Sequence, residues 1–349
     1  MKGCLLNTAP RRRIIFLIAS VIVSAAFLWL ALRGVPLAEV WDGIRQANPL
    51  WIGLSFVGVF LSAITRAVRW RGLISDRTSA QRPPLIGVLH TYNIAMLLNL
   101  LPLRAGELGR TVVLTTRFGV PLFTTATSVV VERLIDLVMV VLLLAVGLSR
   151  AGASAPDFVV QGATIFAVIA FVGLAMLIVL ARYPSLAHRI TAWLEDQLLL
   201  LRRIHLSKRL DDVLTGLQSL THPARLAHAI VWSLLSWAAS LFTFWCLEMA
   251  LTVTADTLAG SFLGVSLASL SIAVPVSVAS IGPFESAVRI AGDLIGLTPA
   301  LAITLGFLFH GVAALGYIAF GIISLLALGV SLSDLMRTSS NRDQSNADA

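Results

Sequence analysis

Apolar runs separated by short polar segments recur along the whole chain. They cover 14–32 and about 50–68, 85–101, 122–148, 158–180, 228–251, 257–276 and 299–330. Runs of roughly twenty apolar residues match the hydrocarbon thickness of a bilayer when helical, so the pattern predicts transmembrane helices. Residues 185–222 read differently. Leu186, Ile190, Trp193, Leu194, Leu198 and Leu201 recur at helical spacing, with Glu195, Asp196, Arg202 and Arg203 elsewhere on the wheel. Two readings fit that segment: an interfacial cytoplasmic helix, or a connector packed beneath the spans. The connection 33–49, with Arg33, Glu39, Trp41, Asp42 and Arg45, is a smaller candidate of the same kind. The mostly polar tail 331–349 predicts a disordered cytoplasmic end.

Charge decides how these runs thread the membrane. Arg11, Arg12 and Arg13 precede the first run, which is longer than a signal-peptide core, so residues 1–13 read as a cytoplasmic N-terminus before a retained helix. If every run spanned, the loop 182–225 would lie outside. Its Arg182, Arg189, Arg202, Arg203, Lys208, Arg209 and Arg225 would then violate the positive-inside rule. The conflict disappears if 85–116 enters from the cytoplasm, breaks at 102–107 and returns to the same side at Arg117. Arg66, Arg69, Arg71, Arg77 and Arg82 then also face the cytoplasm. In the second half, 257–276 dips in from the outer side, breaks across 274–289 and returns through 284–296. The last helix crosses from about Thr298 and leaves Arg337 and Arg342 inside. Each half then reads span, span, hairpin, span, with opposite orientation. The expected fold is an all-α polytopic membrane protein with six spanning helices plus two re-entrant helical hairpins. They form an inverted-topology repeat within a membrane domain 14–330, with halves about 14–148 and 158–330. Interrupted helices at matching positions of inverted halves are how transporters build a midplane site.

Composition agrees with the class. Of 349 residues, 57% are hydrophobic and 13% charged, and the mean hydropathy is +0.89, too apolar for a soluble core of this size. The net charge of +8 is carried almost wholly by Arg, Lys2 and Lys208 being the only lysines. Because these residues flank the spans, the charge reports orientation and attraction to anionic lipid rather than nucleic-acid binding. Two cysteines, Cys4 and Cys246, supply no disulfide framework or thiolate metal site. No GxSxG, GxxxxGK[ST] or HExxH occurs, so neither an enzyme nor a cofactor or metal is expected.

The candidate chemistry is charge at membrane depth. NLLPLRAGELGR, residues 99–110, sets Arg104, Glu107 and Arg110 around the breakers Pro102, Gly106 and Gly109. VVVERLID, inside the run 122–148, adds Glu132, Arg133 and Asp136, with Glu132 and Asp136 four apart on one helical face. Intramembrane charge is functional by default, and paired charge is also an adhesive between helices; both readings stand here. Arginine's planar fork binds phosphate bidentately, which suits an anionic lipid headgroup. The second break holds Pro275, Gly282, Pro283, Glu285 and Arg289. Lower in rank, Asp293 faces the outer interface and His310 reads as a packing histidine. His90, Asn93 and Asn99 read as helix–helix hydrogen-bonding groups, and Glu248 snorkels.

LPLRAGELGR, then VVVERLID, then SIGPFE resemble the lysylphosphatidylglycerol synthase transmembrane family, over about 14–330. The resemblance implies a flippase-like domain of a bacterial or archaeal inner membrane that moves lipid between leaflets. Its implied motif positions are Arg104, Gly106, Glu107, Arg110, Glu132, Arg133, Asp136, Gly282 and Glu285. The aminoacyl-transferase half is absent, so lipid synthesis is not implied, and Ser280 stands where Gly is commoner. The expected partner is a membrane lipid, an anionic phospholipid or a polyprenyl- or glycolipid. The alternative is a non-transporting membrane subunit assisting a lipid-modifying or glycolipid-synthesising enzyme.

Overall fold

The computed structural model describes residues 8–74, 83–101, 106–152, 156–197, 206–273 and 278–330. These form thirteen helices, and no strand occurs among the described residues. In chain order they are α1 (Thr8–Leu32), α2 (Leu37–Gln46), α3 (Pro49–Leu73), α4 (Leu85–Leu98), α5 (Gly106–Phe118), α6 (Leu122–Ala151) and α7 (Asp157–Arg182). There follow α8 (Pro184–Gln197), α9 (Leu206–Thr221), α10 (Pro223–Ala250), α11 (Thr257–Ala273), α12 (Pro283–Leu294) and α13 (Pro299–Leu328). A 3-10 turn, Val278–Ser280, precedes α12. The predicted tail 331–349 and the breakers Pro102 and Pro275 lie outside the described residues.

Four helices, α3, α7, α10 and α13, are long and apolar enough to cross a bilayer. A fifth candidate is α1 continued by α2, bent by 84° between them. The first helix begins at Thr8, upstream of the expected start at residue 14, because Arg11–Arg13 are good helix formers and extend it. The 30 residues of α6 span about 45 Å at 1.5 Å per residue. Its central Glu132, Arg133 and Asp136 set it apart from α7 and α13, whose interiors carry no charge.

The antiparallel pair α3–α10 is the hub. Trp51 meets Trp245 edge-on at 5.3 Å, and a Cβ at Gly58 would fall on Thr243 while one at Gly72 would fall on His228. The two helices therefore stay in contact along their length. Helices in lipid gain little from hydrophobicity and associate through such close packing of small residues. By contrast, α7 buries only Val159 and Ala170 and turns Phe158, Ile165, Val168, Ile169, Phe171, Val172 and Met176 outward, the surface of a lipid-facing helix.

The segment 185–222 forms two helices that differ in burial. In α9, Leu210, Leu217 and Leu220 are buried, and Thr124 of α6 donates to the Asp212 carbonyl at 3.0 Å, so α9 packs against α6. In α8, Leu186, Ile190 and Trp193 remain exposed along one face. Likewise α2 buries Val40 and exposes Leu37 and Trp41, with the Arg45 guanidinium over the Trp41 ring.

The broken segments bed on opposite halves of α13. For α4, His90 Nδ1 and Asn93 Nδ2 reach the Ser324 hydroxyl at 3.0 and 3.2 Å, and Leu97 fills the space over Gly321. For α12, Glu285 and Gly292 lie against His310 and Ala302. Residue 106 is glycine for a steric reason: a Cβ there would lie 2.0 Å from the Ala95 carbonyl oxygen of α4. Gly282, at φ +95°, packs on the α1 backbone, with the Ser24 carbonyl 2.5 Å from where its Cβ would be. Pro283 opens α12 at its first turn, where the missing N–H is harmless.

Candidate functional site

Four helices converge on one charged cluster. From α3 come Arg66 and Arg69, from α5 Glu107 and Arg110, from α6 Glu132, Arg133 and Asp136, and from α10 Ser233 and Trp237. Glu132 lies about 15 Å along α6 from its start, so the cluster sits well inside the helical bundle.

Arg69 is its centre and is fully buried. Its Nη1 reaches Asp136 Oδ1 at 2.6 Å and the Ser233 hydroxyl at 3.0 Å. Its Nη2 reaches Glu132 Oε1 at 2.7 Å and Asp136 Oδ2 at 3.1 Å. The pairing with Asp136 is the bidentate fork that only arginine makes. Arg110, also fully buried, holds Glu132 Oε2 at 2.7 Å and Glu107 Oε2 at 2.6 Å, its guanidinium 4.8 Å above the Trp70 ring. The Trp70 indole N–H in turn donates to Ser128 at 3.0 Å. Removing one member of such a set strands its partners as buried charges, at a cost of roughly 3–5 kcal/mol.

The rim is looser. Arg133 Nη2 lies 3.1 Å from Asp136 Oδ2 and 3.2 Å from Glu132 Oε1, and its Nη1 lies 3.8 Å from Glu107 Oε1. Arg66 donates through Nε to Ser62 at 3.2 Å, stands 3.5 Å from Asp136 Oδ2, and lies over the Trp237 ring at 5.2 Å. Among the described residues, four guanidinium groups therefore face three carboxylates.

The structure brings together Glu107, Arg110, Glu132, Arg133 and Asp136, five of the expected site residues. Arg104 lies outside the described residues. Glu285 and Arg289 belong to a separate place. Glu285 Oε2 accepts the Gly282 N–H at 2.7 Å and its Oε1 meets His310 Nδ1 at 2.6 Å, with the imidazole tilted over Phe284 at 4.6 Å. Arg289 Nη1 donates to the carbonyls of Leu30, Ala31 and Arg33, closing the C-terminal end of α1. Cations suit helix C-termini, where carbonyls lack intrahelical partners.

Two sequence readings need correction. Arg69, read as a cytoplasmic flank charge, is fully buried because it neutralises two carboxylates of α6. The available signal was the spacing of Arg66 and Arg69, three apart and so on one face of an apolar helix. Glu248 does not snorkel. It is fully buried, its Oε2 accepting from Ser261 at 2.6 Å and its Oε1 pressed on Gly260. His90 and Asn93 do make helix–helix hydrogen bonds, both to Ser324, and Asp293 is exposed.

An all-helical, multi-pass membrane protein with a buried arginine–carboxylate network is the class that this fold and site define. The chain belongs to the family described as "Lysylphosphatidylglycerol synthase TM region", whose profile matches residues 17–321. No curated protein and no solved structure gives a match.

Proposed function

We propose that this protein moves a lipid with an anionic or lipid-linked headgroup between leaflets, without covalent chemistry. The observation that carries the reading is the network of Arg66, Arg69, Arg110 and Arg133 with Glu107, Glu132 and Asp136. It holds net positive charge within the bundle, where ionisable groups are costly and face cavities or substrates. The family's association with a lipid-synthesising enzyme supports a lipid substrate. In the proposed architecture α1, α3, α6, α7, α10 and α13 span, and α4–α5 and α11–α12 are re-entrant from opposite faces. Two contacts support the hairpin geometry of α4–α5: a Cβ at Gly87 would meet Phe118, and Arg117 reaches the Gly329 carbonyl. Its two ends therefore lie near each other and near the C-terminal end of α13. Both chain termini are then cytoplasmic, and the membrane is a bacterial or archaeal inner membrane. Arg133, at the exposed rim of the cluster, is the proposed substrate-binding residue, with Glu107, Glu132 and Asp136 holding it in place.

The completeness of the Arg69–Glu132–Arg110 pairing favours a second reading, in which the network is glue in a non-transporting subunit of a lipid-modifying enzyme. Leaflet exchange separates the two. Liposomes containing the protein and fluorescent phosphatidylglycerol are treated with an impermeant quencher. Transport predicts quenching beyond the outer-leaflet share. Exchange of no anionic, zwitterionic or polyprenyl-linked lipid, with co-purification of a lipid-modifying enzyme, supports the second reading.

A further inference from the structure

We infer that Arg66 and Arg133 together receive the substrate's phosphate, and that their pocket is matched to a singly charged phosphodiester rather than to a pyrophosphate or phosphomonoester. The inference rests on the lipid-translocase reading and narrows its substrate class.

Access separates the four arginines. Each guanidinium carries five N–H donors. Arg69 has both terminal nitrogens on carboxylates, and Arg110 has one on Glu132 and the other on Glu107. Both side chains are 0% exposed, which leaves a ligand no direction of approach. Arg66 and Arg133 are different. They share a single oxygen, Asp136 Oδ2, at 3.5 and 3.1 Å, and the other terminal nitrogen of Arg133 comes no nearer than 3.8 Å to Glu107. Their side chains are 14% and 43% exposed. Beneath Arg66, the indole N–H of Trp237 is buried with no hydrogen-bond partner. Two reachable guanidinium groups and an unpartnered indole N–H thus meet at the open edge of the network, whereas the unpartnered Nε atoms of Arg69 and Arg110 are sealed inside it. Buried donors are normally paired, so this edge is chemically incomplete.

Charge then selects the ligand. Four guanidinium groups against three carboxylates leave one net positive charge among the described residues. One phosphodiester oxyanion, bridging Arg66 and Arg133 through its two free oxygens, brings that sum to zero. A phosphomonoester near its second ionisation, or a pyrophosphate, overshoots and leaves buried negative charge without a partner, which is costly. Neutrality on binding also favours release, because no strong residual field holds the headgroup.

The test uses the purified full-length chain in detergent and reads bound lipid by native mass spectrometry. Its probes are phosphatidylglycerol, phosphatidic acid and a polyprenyl pyrophosphate. Wild type should retain phosphatidylglycerol in preference to the other two, and soluble glycerophosphoglycerol should compete with it. Arg66→Gln and Arg133→Gln should each weaken retention about tenfold, the scale of one lost charge-assisted hydrogen bond. Arg66→Lys and Arg133→Lys keep charge without the fork; they carry the test if a Gln variant fails to elute as folded protein, and should fall between. Arg150→Gln, remote from the cluster, should bind as wild type. Unchanged phosphatidylglycerol retention in the folded Arg66 and Arg133 variants overturns the inference, as does tighter retention of the pyrophosphate lipid. Failure of the parent reading looks different: binding that depends on the pair, with no leaflet exchange, upholds the phosphate pair and overturns transport. Exchange undiminished in both variants upholds transport and overturns the pair.

Discussion

Helices α4 and α12 bed on opposite halves of α13, yet the segments α4–α5 and α11–α12 hold their polar groups in different ways. The first places Glu107 and Arg110 into a network reaching α3 and α6, so its position is read by Glu132 and Arg133 of α6 and by the Trp70 ring of α3 at once. The second satisfies its charges locally. Glu285 ties the Gly282 N–H and His310, and Arg289 ties only backbone carbonyls of α1. Its break is also conformationally demanding, with Ala279 at φ 49° and Ser280 at φ 64° ahead of Gly282. Left-handed backbone costs a non-glycine residue roughly 1–2 kcal/mol. The contrast teaches that the two segments carry unequal duties: the first presents charge, and the second is anchored to α1.

The comparison breaks most severely at Glu132, which bridges Arg69 and Arg110. Glu132→Gln should destabilise the detergent-solubilised protein by roughly 3–5 kcal/mol, measured as a fall in thermal unfolding midpoint. A double change with Arg110→Gln should recover part of that loss. Additivity of the two single changes to within about 0.5 kcal/mol would show that the residues are not coupled. Next in size is Gly106→Ala, which pushes a methyl into the Ala95 carbonyl and should cost roughly 1–3 kcal/mol through overpacking. In the second hairpin, Arg289→Met removes the closure of α1 and should cost about 1 kcal/mol, with headgroup retention unchanged if that hairpin is an anchor. Loss of lipid binding in that variant would blur the distinction.

The smallest effect lies outside the spans. Asp256 Oδ1 accepts the N–H groups of Leu258 and Ala259, both at 3.0 Å, and its Oδ2 meets Arg150 at 3.0 Å. The Ala259 N–H first, and Arg150 after it, hold the Asp256 carboxyl below its ordinary range. A carboxylate depressed on folding adds stability above its unfolded value of about 3.9 and loses it as pH falls through the lower folded value. The stability difference between wild type and Asp256→Asn should therefore be small at pH 7 and vanish in that acid window. A difference that grows on acidification contradicts the assignment.

Much of this molecule was legible in the residues alone, for physical reasons that also mark the boundary. Run length and Arg placement reveal helices such as α3, α10 and α13, because a bilayer imposes both constraints on sequence. The cluster of Glu107, Arg110, Glu132, Arg133 and Asp136 was readable because charge in an apolar run demands a partner. Arg69 escaped because positive flanks of spans are ordinarily solvated, and only the carboxylates of α6, distant in sequence, give it a reason to be buried. Glu248 escaped because its neighbour Gly260, which leaves room for the carboxyl, belongs to another helix. The anchoring duty of Arg289 is equally invisible without α1, since carbonyl acceptors leave no side-chain signature.

The claim that the two hairpins open to opposite faces is tested most directly by labelling. In a chain with Cys4 and Cys246 replaced by Ser, single cysteines at positions 117 and 297 are exposed to an impermeant thiol reagent in right-side-out and inverted vesicles. The proposed architecture predicts that position 117 reacts only from the cytoplasmic face and position 297 only from the opposite face. Reaction of both positions from the same face would contradict it.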